Sequence, residues 1–126
     1  MPIVTTRDDE HHLLTVKLSD PWSVEEIAVS VDRQLAENTW KYDTIYDLRG
    51  TRGMPTEPDI LWLVKQGDQY LALRGARGLV AVLIDRNESG KLQQQYAEYA
   101  GVQNRVALRV FDDEAEARAW LASASR

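Results

Sequence analysis

Apolar positions along this chain recur with two periods, and the switches between them predict the order of its elements. Residues 3–7 (IVTTR) and 13–18 (LLTVKL) read as strands around the polar turn DDEHH. In the second strand Leu14, Val16 and Leu18 alternate with Leu13, Thr15 and Lys17, the period of two of a half-exposed strand. Val24, Ile27, Ala28, Val31 and Leu35 then follow helical spacing. Asp20 before Pro21, and Ser23 three residues ahead of Glu26, supply start signals for this helix, which is expected to end near Asn38. TIYDL (44–48) reads as a short strand and RGTRGMP as its loop. Thr56, Pro58 and Asp59 open a second helix to about Leu73. Its Ile60, Leu63, Val64 and Leu71 form one face, and Trp62, Tyr70 and Leu73 a second.

LVAVLI (79–84) has no polar face, as expected of a central parallel strand covered on both sides. Asn87 or Ser89 can cap a third helix with the stripe Leu92, Tyr96 and Tyr99, stopped by Gly101. VALRVF (106–111) alternates, so it belongs nearer an edge. DDEAEARAWLAS closes as a helix with acids in its first turn and Ala117, Trp120 and Leu121 inward. The order ββαβαβαβα predicts an α/β fold: a mixed, mostly parallel sheet with helices packed on it, and an antiparallel strand from the initial hairpin. No stretch is long enough to serve as a linker, so residues 1–126 are expected to form a single domain.

Composition narrows the function. With 20 acidic against 15 basic residues the net charge is −5, which opposes a dedicated nucleic-acid binder. The chain has no cysteine, so disulfides, thiolate catalysis and Cys-based metal centres are all excluded. No apolar run reaches the length of a membrane span and no leader pattern opens the chain, so a cytoplasmic protein without integral membrane association is expected.

Few constellations carry chemistry. The only histidines, His11 and His12, are neighbours on a turn, and G-x-S-x-G is absent. The DDEHH cluster resembles a metal site on paper, but neighbouring strand residues point to opposite faces; no metal and no cofactor are expected. GKL at 90–92 echoes the end of a P-loop, yet Asp85 stands where its upstream glycine belongs. RGTRG (49–53) and RGARG (74–78) hold four arginines, but Arg49 and Arg52 follow a strand whereas Arg74 and Arg77 precede one, which places the pairs at opposite sheet ends. Ligands of open α/β sheets meet the strands' carboxyl ends. That edge gathers Asp47, Arg49, Arg52, Asp85 and Arg86, with Thr56, Asn87, Asp112 and Asp113, as a candidate partner or anion surface without an evident acid–base pair.

YDLRG after the first long helix, an apolar strand ending in Asp85, and VFDDEAEARAWL at the end together resemble the STAS and SpoIIAA-like proteins over nearly the whole chain. The resemblance implies a small α/β sandwich. It also implies a regulatory module that binds a kinase partner and is switched by phosphorylation at the start of the second long helix. That position is Thr56 here, in MPTEPD, where Pro55 replaces the family's aspartate, Thr its serine, and Pro58 enters the helix. Phosphate at a helix N-terminus is physically reasonable, although Thr56 is already explained as a cap. SpoIIAA-like proteins also resemble lipid carriers of the CRAL-TRIO type, which implies a small nonpolar ligand.

The second apolar face, Trp62, Tyr70 and Leu73, needs a cover, since burying it is worth several kcal/mol at about 25 cal/mol per Å². Self-burial against Trp22, Trp40 or Trp120, a second protomer and an apolar ligand compete for it. The leading expectation is a noncatalytic, STAS-like binding or regulatory module that pairs with itself. The alternative is a carrier or sensor of a small nonpolar ligand.

Overall fold

A computed structural model describes residues 3–103 and 105–124. The elements are β1 (Ile3–Asp8), β2 (Leu13–Leu18), α1 (Val24–Ala36), β3 (Asp43–Asp47), α2 (Glu57–Arg74), β4 (Val80–Leu83), α3 (Glu88–Gln103), β5 (Leu108–Phe111) and α4 (Glu114–Ala124). They form one five-stranded sheet in the order β1-β2-β3-β4-β5. β1 pairs antiparallel with β2, and every later neighbour is parallel. The fold is therefore α/β with a mostly parallel sheet, as the pattern of periods predicts.

Start signals in the sequence become real caps. Ser23 and Glu26 close a reciprocal capping box on α1, and Thr56 and Asp59 another on α2. The Asn87 side chain, rather than Ser89, receives the Gly90 N–H at 2.7 Å and caps α3. Asp20 does not start α1. Its carboxylate instead takes the N–H groups of Arg52 and Gly53 at 2.7 and 3.1 Å, tying the β2–α1 connection to the loop after β3.

Two expectations are corrected. The all-apolar strand is not the centre of the sheet: β3 is, and β4 lies one place toward the β5 edge. Burial on both faces reads the same at either position, because helices cover both sides of β4. The stripe Leu92, Tyr96, Tyr99 is not the inner face of α3. Leu92 and Tyr99 are exposed, whereas Gly90, Gln93 and Gly101 are buried, and α3 runs on past Gly101 to Gln103. A Cβ at Gly101 would stand 2.9 Å from the Leu108 Cβ, so this glycine permits close approach to β5 instead of ending the helix.

The two sheet faces carry separate cores. On one, Ile45, Ala81 and Leu83 pack with Ala117 and Leu121 of α4, and Trp120 leans on Phe111 at 5.8 Å between ring centres. The inward face expected for α4 is the observed one. On the other face, Val16, Leu18, Tyr46, Leu48, Val80 and Val82 face α1 and α3. α2 approaches α1 and α3 and comes close to no strand to the same extent. Of its 18 residues only Ile60 is fully buried. This helix is a roof held off the sheet by its neighbours.

Candidate functional site: an apolar cavity under α2

Between the sheet and this roof lies a cavity of about 180 Å³. The volume exceeds the roughly 150 Å³ that a dry apolar cavity needs to take up benzene. Its origin is a set of small residues where a filled core would place large ones: Ala28 on α1, Gly67 on α2, and Ala97, Ala100 and Gly101 on α3. The floor is Leu18, Tyr46, Leu48, Val80, Val82 and Leu108, and α2 contributes Ile60, Leu63, Tyr70 and Leu71 from above. The α2 residues recur at i, i+3, i+10 and i+11, a single helical stripe.

That stripe divides the second apolar face expected for α2. Tyr70 turns inward, stacks edge-on against Trp40 with 5.8 Å between ring centres, and donates its hydroxyl to Asp32. Burial and that acceptor push its phenol up to about 12. Trp62 and Leu73 remain outside, 40% and 75% exposed. At about 100° per residue Tyr70 lies only about 60° around the helix from Leu73 and about 80° from Trp62, so it sits at the border between the covered and the open side.

Polar atoms in the cavity wall are unusual. Trp22 Nε1, Tyr46 OH, Arg77 Nε and Gln93 Oε1 are buried without a hydrogen-bond partner, and all four residues line the cavity. Tyr46 is only 9% exposed and Gln93 3%. An unmet buried polar group costs about 1–3 kcal/mol. Gln93 spends its amide N–H groups on Thr51 Oγ1 and the Gly53 carbonyl, at 3.0 and 3.1 Å, which locks α3 to the loop after β3. Arg77 lies against the rings of Trp40 and Tyr46, its guanidinium carbon 5.1 and 6.0 Å from their centres. One Nη2 donates to Gln34 Oε1 at 2.6 Å, and Gln34 in turn donates to Thr44 Oγ1 at 2.9 Å.

At the carboxyl edge the predicted partner surface is a set of mutual ion pairs. Arg49 holds Asp47 at 2.9 Å and Glu114 at 3.0 Å, and Lys17 approaches Asp47 at 3.5 Å. Burial pushes the Asp47 carboxyl up, but the hydrogen bonds from Arg49 and the Lys17 charge outweigh it, leaving this acid below its ordinary range. Asp85 accepts the Gly50 N–H at 2.7 Å, and Arg86 pairs with Asp112 at 2.5 Å. The Arg52 side chain is exposed, and Thr56 is exposed as the α2 cap. Arg49 and Arg52 stand at the opposite strand ends from Arg74 and Arg77, as the order of elements requires.

In the β1–β2 turn His11 Nδ1 pairs with Asp8 at 2.8 Å, and His12 packs on Tyr42. Among the described residues no three His, Asp or Glu converge as metal ligands. No helix there is long and apolar enough to cross a membrane.

Sequence reasoning did not find this cavity, nor Tyr46 and Gln93 as its polar lining, and it read Arg77 as a turn residue. The available signal was Ala97, Ala100 and Gly101, small residues at i, i+3 and i+4 on one face of α3, which a search for large apolar stripes passes over. Compared with protein-family models, curated proteins and solved structures, the chain matches none.

Proposed function

We propose that this chain is a carrier or sensor of a small, largely nonpolar ligand held between the sheet and α1, α2 and α3. The observation that carries the reading is the apolar cavity of about 180 Å³ beneath a helix with one fully buried residue. A void deprives its lining of dispersion contacts, and an 18-residue helix gains little from burying a single side chain. A ligand in the cavity would supply the missing contacts to floor and roof together, and it would make the seating of α2 depend on occupancy. A sensor needs such an element. Native mass spectrometry of protein purified gently from its host tests the proposal: a retained small molecule is expected, and a uniformly empty protein refutes it.

A second reading has its own observation. Leu61 and Trp62 of α2 and Leu92, Tyr99 and Val102 of α3 are exposed. A shallow groove lined by Ile60, Leu61, Leu92, Tyr96 and Tyr99 runs between the two helices. This surface suits pairing with a second copy of the chain, because a two-fold contact needs only one self-complementary patch. Together with the sequence resemblance to SpoIIAA-like proteins, it supports a regulatory module that works as a homodimer. Light scattering on the parent and on Trp62→Glu decides: a dimer that the substitution dissociates is expected, and a monomeric parent removes the reading.

A further inference from the structure

The cavity is not electrically neutral. Its lining contains Arg77 and Arg105 and no aspartate or glutamate, in a chain whose net charge is −5. The two arginines are equivalent in position. Val80 of β4 is paired with Leu108 of β5, and each arginine lies three residues before its member of that pair. Both therefore stand at the amino-terminal end of the sheet, at the entrances to adjacent parallel strands.

Neither is neutralised internally. Arg77 is part-buried against Trp40 and Tyr46, its hydrogen-bond partners are the uncharged Gln34 and Thr44, and its Nε–H has none. Arg105 is exposed and, among the described residues, makes no ion pair. A part-buried cation without a counter-charge is costly, and a guanidinium fork matches a carboxylate. The unpartnered Tyr46 hydroxyl on the same floor adds a donor.

Resting on the ligand reading above, we infer that the ligand is an amphiphilic organic anion, a carboxylic acid with an aliphatic or aromatic body, whose carboxylate is held between Arg77 and Arg105. The apolar body runs along the sheet toward Leu48 and the Trp22 indole. From the level of Val80 to that of Leu48 the floor extends about four strand residues, roughly 13 Å at 3.3 Å each. At roughly 30 Å³ per carbon the cavity of about 180 Å³ holds a body of about six carbons, which lies within that span.

The probes are hexanoate and its uncharged counterpart hexanol, titrated by calorimetry into the ligand-stripped protein, its Arg77→Met variant and its Arg105→Met variant. The parent is expected to bind hexanoate at least about tenfold more tightly than hexanol, the range of one charge-assisted hydrogen bond. Each variant should lose most of that preference while its hexanol affinity holds. Arg105 is exposed, so its variant keeps the test decisive if loss of Arg77 disturbs packing around Trp40. Equal affinity of the parent for both probes, or a preference that survives both substitutions, overturns the anionic assignment and leaves the cavity reading intact. Binding of neither probe overturns both.

Discussion

Enlarging Ala97 to leucine distinguishes a genuine void from a wall that only looks thin. Ala97 lies on the cavity side of α3, packed against the core of the sheet. Ala97→Leu adds three carbons, each occupying close to the roughly 30 Å³ of one water, or about half the cavity. At about 0.8 kcal/mol per buried methylene the gain is about 2.4 kcal/mol, and fixing the leucine rotamer removes about 0.5–1 kcal/mol of it. A net stabilisation of about 1.5 kcal/mol raises Tm by roughly 6 °C in a domain of this size. Ligand-stripped parent and variant would be compared by urea and thermal unfolding, followed by native mass spectrometry of the variant from its host. The variant should unfold later and arrive empty. A lower Tm refutes the reasoning, because forcing methylenes into a filled core costs about 1–3 kcal/mol.

Gly90→Ala should unfold at much lower urea or fail to fold, because a Cβ there would lie 1.8 Å from the Asp85 carbonyl oxygen; Gly50→Ala, with open space but φ of +83°, should lose only about 1 kcal/mol. Asp47 titrates lower in the folded chain than in the unfolded one, so its stabilisation is complete above about pH 4 and is lost as pH falls through the depressed folded value. Urea midpoints followed down to about pH 2 should show a flatter acid limb for Asp47→Asn than for the parent, and parallel limbs would remove the ion pair with Arg49 as the cause.

Much of the fold was legible because its causes are local. The alternation in 13–18 matches β2 residue for residue, and the Ser23–Glu26 and Thr56–Asp59 pairs mark their helix starts, since a cap acts over three residues. The self-paired charges at the carboxyl edge could be placed there from element order alone, because parallel crossovers put the carboxyl ends of β2, β3, β4 and β5 on one side. The α3 stripe was not legible. Two helical faces compete in that sequence, and the face with larger side chains turned outward because Gly101 lets α3 settle on β5.

What sequence by itself determined, then, is the set of elements, their caps and the α/β class, all consequences of periods and spacings along one chain. Tertiary structure alone decided that α2 stands off the sheet, that Tyr70 parts company with Trp62 and Leu73, and that Arg77 and Arg105 enter neighbouring strands around one void. A cavity is the difference between the volume that several elements enclose and the volume their side chains fill. No segment carries that difference, so it exists only after the segments have packed.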